Sequence, residues 1–296
     1  MKNYPLISLI TVNYNTLNDT IEFLESVQSL TYPNIETIVV DNFSAESPEQ
    51  FLIGKFPSIV FIQSKKNLGF AGGNNLGIRV AKGDYLFFLN NDTVLSPNFL
   101  QPIVEFMQAN SQVGMASPKV LFPDNKTIQY AGTTEISPFT GRGTRIGLWE
   151  EDKGQYDHNC PTGLGHGAAL IVRPEAIHQV GPMPEIYFLY YEEHDWCEQF
   201  KRKGFQMYYI GVSSVVHKEG KSTGGDESPL KIYYMSRNRL LFQRRNYNGF
   251  PFIVSILFFL FGVIPKTTIK YLLFGKLEQL RAFYRGIAWN LTNQKA

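Results

Sequence analysis

The chain of 296 residues reads as an α/β fold built on a parallel sheet. Three observations carry that reading. Short apolar runs rich in β-formers alternate with helical patterns through the first hundred residues, the order expected of a parallel sheet with right-handed crossovers. The runs are almost continuously apolar, as strands buried on both faces require. Each run ends in small polar residues, at the strand ends where such sheets bind ligands.

The predicted strands are "LISLITV" (6–12), "IETIVV" (35–40), "IVFIQ" (59–63) and "DYLFFL" (84–89). Between the first two, Ile21, Leu24, Val27 and Leu30 recur every three residues and predict a helix. A second helix opens in "SPEQFLIGKF" with Ser47 as N-cap and Pro48 at the first helical position. Gly69, Gly72, Gly73 and Gly77 surround the start of a third. Residues 141–167 are polar and Gly-rich and read as a long loop. "GAALIVR" (167–173) reads as a strand, followed by a helix from Pro174. The next helix has Trp196 and Phe200 one turn apart and Gly204 as its C-cap, and "MYYI" and "VSSVV" follow as two short strands. A basic helix runs from Pro229 to about Tyr247.

Composition narrows the function. A formal net charge of +2 is too small to imply nucleic acid as a partner. Cys160 and Cys197 form no CxxC pair and read as reduced thiols, and the first residues lack a signal peptide, so a cytoplasmic catalytic part is expected.

The polar strand ends carry the candidate chemistry. "YLFFLNNDTV" (85–94) stops on Asn90, Asn91 and Asp92, which suits a tight turn or a cation and phosphate site. Asp41 suits either a nucleoside contact or a turn cap. The glycines around residue 69 do not form GxGxxG. They allow backbone amides to approach an anion, or a small-residue helix to pack closely on the sheet. His217 ends an apolar strand, as a second metal ligand or as a structural histidine. Glu192, Glu193 and Asp195 crowd beside Tyr190, Tyr191 and Trp196, where one carboxylate can act as a general base, although acids also suit a helix start.

Taken in order, "SLITVNYNT", "VVDNFSAE", "NLGFAGGNNLGI", "LFFLNNDTV", "GAALIVRPEAI", "FLYYEEHDWCEQFKRKGF", "VVHKEGKST" and "YYMSRNRLLFQRRN" resemble the inverting glycosyltransferases of family 2 over about residues 6–245. The resemblance is closest to the bacterial rhamnosyltransferase-like branch. It implies the GT-A fold, a Rossmann-like, mostly parallel central sheet flanked by helices. It implies that Thr11, Asn13 and Asn15 contact the nucleoside, that Asp41 with Asn42 reads the base, and that Asn67, Gly69, Gly72 and Asn74 surround ribose and diphosphate. Asn90, Asn91 and Asp92 stand where the family has Asp-x-Asp, with Asn in the first place. Asp92 and His217 are the implied ligands of Mg²⁺ or Mn²⁺. Glu193 stands at the catalytic base, where Asp is commoner, with Glu192 and Asp195 beside it. The implied donor is a dTDP- or UDP-sugar, with dTDP-rhamnose favoured, and the implied acceptor a glycan or lipid-linked glycan of bacterial surface polysaccharide. Arg237 or Arg239 would hold phosphates or the acceptor, unless they are solvated helix charges.

Two regions are expected: a catalytic domain over 1–228, with a donor half (1–110) and an acceptor half (111–228), and a helical extension over 229–296. Within the extension, residues 249–264 are apolar and uncharged. Sixteen helical residues reach about 24 Å, short of a bilayer core of roughly 30 Å. With Arg244 and Arg245 before the run and Lys266, Lys270 and Lys276 after it, a helix lying on the cytoplasmic membrane surface is expected. A buried core helix, and a tilted span over residues 247–273 against which Lys266 and Lys270 argue, are the alternatives. Three other functions compete. A glycoside hydrolase has no use for a nucleotide crevice. A sugar nucleotidyltransferase would carry a basic Gly-rich loop where "NYNTLND" stands. A non-catalytic nucleotide- or glycan-binding protein is favoured only by Asn90.

Overall fold

The computed structural model describes residues 4–218 and 227–293. Its donor half is the predicted succession: β1 (Ile7–Asn13), α1 (Leu17–Gln28), β2 (Ile35–Asp41), α2 (Glu49–Lys55), β3 (Val60–Gln63), α3 (Gly69–Ile78) and β4 (Tyr85–Leu89). These strands pair in parallel in the order β3-β2-β1-β4. The order reverses between β1 and β4, and that switch point opens a crevice beyond their carboxyl ends. Past β4 the pairing is mixed. β5 (Thr93–Leu95), α4 (Leu100–Ala109), β6 (Val113–Leu121), β7 (Ile128–Tyr130), β8 (Asn159–Pro161), β9 (Ala169–Val172), α5 (Pro174–Val180), α6 (Glu192–Arg202) and β10 (Gln206–His217) complete one sheet of order β3-β2-β1-β4-β9-β6-β10-β5, with β7 and β8 branching from β6 and β10.

Several local expectations shift. Pro48 lies one position before the helix, and Ser47 Oγ accepts only a long 3.4 Å bond from the Glu49 amide. "MYYI" and "VSSVV" are one strand, because a register shift between Ile210 and Ser214 lets β10 bulge and continue along β6. Gly204, at φ +83°, closes α6 as expected, with the Phe205 amide reaching back to the Phe200 carbonyl. The predicted loop 141–167 carries β8 and is fastened to the sheet by Lys119, whose buried ammonium meets Asp152 at 2.9 Å and also Asp157. The lysine and Pro118 hide β6 from a hydropathy reading, although all nine of its residues are buried.

Both faces of the sheet are apolar. Leu9, Phe23, Phe87, Leu100 and Met107 belong to one core, and Ile10, Phe88, Leu170, Trp196 and Phe200 to the other. α3 packs on the second face through glycine: a methyl on Gly77 would collide with Ile10 Cγ2, and one on Gly73 would press on Val12.

The C-terminal helices are α7 (Pro229–Asn246), α8 (Gly249–Phe258), α9 (Ile264–Leu273) and α10 (Leu277–Thr292). Ser228 caps α7 by accepting from the Lys231 amide. α8 and α9 join through a π turn, Phe259–Val263, to make one helix of 25 residues, Gly249–Leu273. Pro265, without an amide proton, sits just beyond the widened turn, where its ring would otherwise press on a preceding carbonyl. The buried-core alternative is overturned, since only 11% of the helix's apolar window is covered by protein. At about 1.5 Å per residue the helix is about 37 Å long, enough by length and composition to cross a membrane. Residues 219–226, which include most of "HKEGKST", lie outside the described residues.

Two glycine substitutions separate packing from backbone entropy. Gly77→Ala is expected to lower stability by about 1–3 kcal/mol through overpacking against Ile10. Gly54→Ala, at a helical position with nothing within 4 Å of a new methyl, is expected to raise it by roughly 0.5–1 kcal/mol. Denaturant unfolding of the two variants checks both signs.

Candidate active site

The polar residues at the β1, β2 and β4 ends form one hydrogen-bonded chain. Asp41 is buried, and its carboxylate accepts from Asn13 Nδ2 at 2.6 Å, the Ser44 hydroxyl at 2.6 Å, the Ser44 amide at 2.9 Å and Gln63 Nε2 at 2.7 Å. Asn13 Oδ1 accepts from the Thr20 hydroxyl at 2.9 Å, and Asn91 Nδ2 donates to Thr20 at 2.8 Å and to Thr16 at 2.7 Å. The start of α1 thus joins three strand ends. Asn15, in the left-handed region at φ +56°, takes the Ala45 amide on Oδ1. The turn-cap reading of Asp41 is met, because the carboxylate accepts from both the amide and the hydroxyl of Ser44. Thr11 Oγ1 is buried on β1 without a partner, and nothing in the structure explains it.

The glycine-rich stretch is less open than an anion cradle requires. Asn42 binds the Gly69 carbonyl and Asn67 Oδ1, and takes the Leu68 amide. The first two amides of α3 are already used, Gly69 N–H by Asn67 Oδ1 and Phe70 N–H by the Phe188 carbonyl. Gly69 takes φ +70°, and a Cβ there would strike the Phe188 carbonyl. Gly72 packs on Leu68, and Asn74 turns back to the Phe70 carbonyl at 3.0 Å. Gly69 and Gly72 thus pack closely on Phe188 and Leu68, and Asn74 caps back onto its own helix.

Asn90, Asn91 and Asp92 do form a turn, closed by Thr93 N–H and Oγ1 onto the Asn90 carbonyl at 3.1 and 2.7 Å. The same turn aims Asp92 Oδ1 at His217 Nε2, 3.2 Å away. On the far side of the ring Gln129 Oε1 stands 2.7 Å from Nδ1. A proton on Nδ1 leaves the Nε2 lone pair facing the carboxylate. Two electron-rich atoms so placed call for a positive charge between them, and the O and N donors suit a hard or borderline divalent cation. Burial raises the Asp92 pKa, but when the His217 ring is also protonated on Nε2 its hydrogen bond and charge, with Lys218, outweigh burial and hold the group below the ordinary carboxylate value. Among the described residues no third His, Cys, Asp or Glu joins this pair, so further ligands would come from phosphate or water.

Glu193 approaches the same corner from α6. Its carboxyl carbon lies 3.8 Å from the position of a Cβ on Gly167. The next residue, Ala168, accepts the Asn90 amide at 2.9 Å, and the preceding His166 packs edge-on against His217 with centroids 5.9 Å apart. Residues 166–168 therefore connect the acid to the strand end. Burial disfavours the charged form of Glu193, yet His194, 3.3 Å away, outweighs it and keeps the carboxylate below its usual pKa. That contact is within ion-pair distance but out of line for a hydrogen bond, so its effect is Coulombic. Glu192 is the reverse case: burial first, then the Glu193 charge, hold its pKa well above the ordinary range. Asp195 is corrected outright as a catalytic candidate. It is buried and points to α7, where Arg245 Nε at 2.9 Å and Asn246 Nδ2 at 2.8 Å occupy its oxygens.

The loop entering α6 is strained. Phe188, Tyr190 and Tyr191 have φ of 65°, 67° and 75°, values that bulky side chains seldom adopt. Asn238 holds them: its Nδ2 donates to the carbonyls of Tyr187, Leu189 and Tyr190 at 2.8–3.0 Å. The expectation that the flanking arginines are solvated helix charges is corrected. Arg237 is buried over Trp289 and bonds the Ile186 carbonyl, while Arg239 is buried against Phe258 and Phe259 and bonds the Thr140 carbonyl at 2.6 Å. Neither faces solvent. Asn238, Gln63, Gln129 and His166 escaped the sequence reading, because each acts through a partner distant in the chain.

Asn238→Ala is expected to cost roughly 2–3 kcal/mol by leaving buried carbonyls without a donor. Asn238→Asp should cost more, since a carboxylate would face those carbonyls. Equilibrium unfolding of both variants tests the order.

The glycosyl transferase family 2 model matches residues 8–173, more than half of the chain. The low-salt glycan biosynthesis hexosyltransferase Agl10 of Haloferax volcanii is 26% identical over 239 residues, covering 79% of this chain and 74% of its own. An N-acetylglucosaminyl-diphospho-decaprenol L-rhamnosyltransferase of Mycobacterium tuberculosis is 22% identical over 242 residues, covering 75% and 78%. In fold the chain is similar to a Pyrobaculum calidifontis mannosyltransferase in complex with GDP-mannose and Mn²⁺, with TM-score 0.60 and 16% identity over 99% of this chain and 76% of that one. It is also similar to GalNAc-T7 with UDP, GalNAc and Mn²⁺, with TM-score 0.64 and 14% identity over 80% of this chain and 48% of that longer one. The fold is GT-A, the activity is glycosyl transfer, and the chain belongs to glycosyl transferase family 2.

Proposed function

We propose that this glycosyltransferase works with inversion, moving L-rhamnose from dTDP-rhamnose to a hydroxyl of a lipid-linked glycan in bacterial surface polysaccharide synthesis. The observation that carries the mechanism is the meeting of Glu193 with the Asn90–Asp92 turn across residues 166–168. Glu193, ionised at neutral pH, takes the proton of the acceptor hydroxyl as its oxygen bonds to the anomeric carbon. The bond from that carbon to the diphosphate breaks on the opposite face, so one displacement inverts the centre. Glu192, kept neutral by burial and by Glu193, leaves the base as the local charge. Asp41 with Asn13 and Asn42 would receive the base, Thr11 and Asn15 would flank the nucleoside, and Asn67 with Asn91 would line the approach to ribose and diphosphate. Asp92 and His217 would hold Mg²⁺ or Mn²⁺, which supplies positive charge as the diphosphate leaves.

The relatives' names support the donor and acceptor: one mycobacterial relative is an L-rhamnosyltransferase named for a diphospho-decaprenol substrate. A UDP-hexose donor is the second reading, supported by UDP in a structural neighbour. The exposed helix Gly249–Leu273, which carries Lys266, supports attachment to the anionic cytoplasmic membrane face, while Lys270 and the following Lys276 are paired with Glu227. The boundary at residue 228 would then divide function rather than folding, since Asn238 and Arg245 of α7 brace the catalytic half.

Two measurements test the reading. Titration calorimetry with dTDP, UDP, GDP and NAD, with and without Mg²⁺ or Mn²⁺, is expected to give metal-assisted binding of dTDP; binding of no nucleotide would leave the non-catalytic reading. Glu193→Gln is expected to retain donor binding and lose about 10²–10⁴-fold in turnover. In the parent protein, kcat should be level near neutrality and fall as acid protonates Glu193 below its ordinary value of 4.5.

A further inference from the structure

Within the 141–167 segment and the residues before it lies an arm of two antiparallel stretches. Thr133 pairs with Arg145 and Ser137 with Arg142, and the Gly141 amide closes the turn onto the Ser137 carbonyl at 2.8 Å. At its base the Thr133 amide donates to Thr162 Oγ1 at 2.9 Å, and the Thr133 carbonyl accepts the Gly163 amide at 3.0 Å, on the stretch that leads to residues 166–168. Halfway along, Ile136 is buried with Tyr191 and Phe242, against the loop that enters α6. At its tip Arg239 bonds the Thr140 carbonyl, and Phe139 meets Phe250 edge-on with ring centroids 6.4 Å apart. Phe139 and Phe250 are both exposed, and Phe250 opens the apolar helix. The arm thus runs from the catalytic corner to the start of that helix.

Its returning stretch carries Arg142 and Arg145, both exposed. Glu135, the one acid of the arm, is taken by Lys201. Among the described residues neither arginine has an acidic partner. Their neighbours are the wrong sign for a structural role. Arg142 lies near enough to Arg239 that its charge adds to burial in pulling that guanidinium down to about 10. The Arg145 charge reaches His166, the ring that packs on His217. Solvent alone rewards neither placement, whereas an anion brought to the arm would relieve both. Two guanidinium forks about 10 Å apart along an extended stretch suit a diphosphate, which offers each a phosphate to hold.

We propose that Arg142 and Arg145 hold the diphosphate of the lipid-linked acceptor between the membrane and the active site. The inference rests on the lipid-linked acceptor proposed above and gives its charged group a place on this chain. Position selects the acceptor over the donor. The donor diphosphate has its own cation pair, Asp92 and His217, at the strand ends. The arm instead reaches the apolar helix, and the phosphates of a membrane lipid lie at the surface where such a helix attaches. Arg142 stands three residues from Phe139 at that level, and Tyr191, beside the arm, is the residue that opens α6 before Glu193. A sugar linked to the held diphosphate would extend from the arm toward the base.

The test uses the full-length protein with saturating dTDP and Mg²⁺, so that the donor site is filled, and farnesyl diphosphate below its micelle concentration as the probe. Saturable binding is expected. Arg142→Gln and Arg145→Gln should each weaken it roughly tenfold while keeping the parent's melting temperature and its affinity for dTDP. Arg142→Lys, which keeps the charge and loses the fork, should recover part of the loss. Lys203→Gln, which removes one exposed charge elsewhere, should bind the probe like the parent. Inorganic pyrophosphate should bind more weakly than the lipid form. The proposal is overturned by an absence of saturable binding, by either arginine variant binding like the parent, or by an equal loss in Lys203→Gln. Pyrophosphate binding as tight as that of farnesyl diphosphate also overturns it, as does a matching loss of dTDP affinity, which would give the arginines to the donor. Calorimetry of the parent with dTDP alone separates the two claims: intact nucleotide binding beside any of these results removes the assignment of the arm alone. Absence of nucleotide binding removes the function reading as well.

Discussion

One amide group holds the catalytic end of this protein in place. The two protons of Asn238 Nδ2 are shared among three carbonyls of the loop that leads into α6. That loop puts three aromatic residues in the left-handed region, a conformation unfavourable for each by itself and sustained only by its surroundings. The Phe70 amide takes a fourth carbonyl from the other side, and Arg237 a fifth. The purpose of so much bracing is positional. It fixes where α6 begins, and so where Glu193 stands relative to the end of β4.

The same geometry divides the labour of three neighbouring acids. Glu192, Glu193 and Asp195 share one helical turn, yet the fold gives them different partners. Asp195 turns away from the crevice and neutralises Arg245, tying the C-terminal helices to the catalytic body. Glu192 is buried without a counter-charge, which favours its neutral form. Glu193 alone combines partial exposure with a nearby imidazole. A charge in this turn is therefore concentrated on the side chain that faces residues 166–168. At the opposite side of the corner, Gln129 sets the histidine ring so that Nε2 meets Asp92, which is the role that outer hydrogen bonds play around metal-binding histidines. Asn in place of the first acid of the strand-end motif is consistent with this arrangement, since the Asn90 side chain contacts His217 while its backbone closes the turn.

The C-terminal helices have a dual character. α7 belongs mechanically to the catalytic body, through its contacts with residues 186–190 and Asp195, whereas the helix that follows it presents a largely uncovered apolar surface. α10 packs along α7 and is locked to it by Asn290, while a methyl on Gly286 would collide with Ser236, so the close approach needs glycine there. Attachment of the apolar helix would thus be transmitted directly to the loop that positions the base.

The amino-acid order by itself determined the donor half of the fold and the location of its ligand edge. Buried parallel strands are written as short apolar runs, and their polar ends are visible because side-chain period and strand length are local properties. It also determined the family, since the motifs recur in order. Elements whose burial depends on distant partners were hidden. β6 contains Pro118 and Lys119 and is a core strand only because Asp152 and Asp157 compensate the lysine from the 141–167 segment. Arg237 and Arg239 attracted attention as charges, while Asn238 between them does the holding, a difference that only the packing of α7 on a strained loop decides. The close packing of the α3 glycines became visible only in the contacts of Gly69, Gly73 and Gly77 with Phe188, Val12 and Ile10. Length and hydropathy located the apolar helix, either as the run 249–264 or as one tilted segment over residues 247–273. The continuous backbone through the π turn made it 25 residues, and its exposure could be known only once the rest of the chain had left it uncovered.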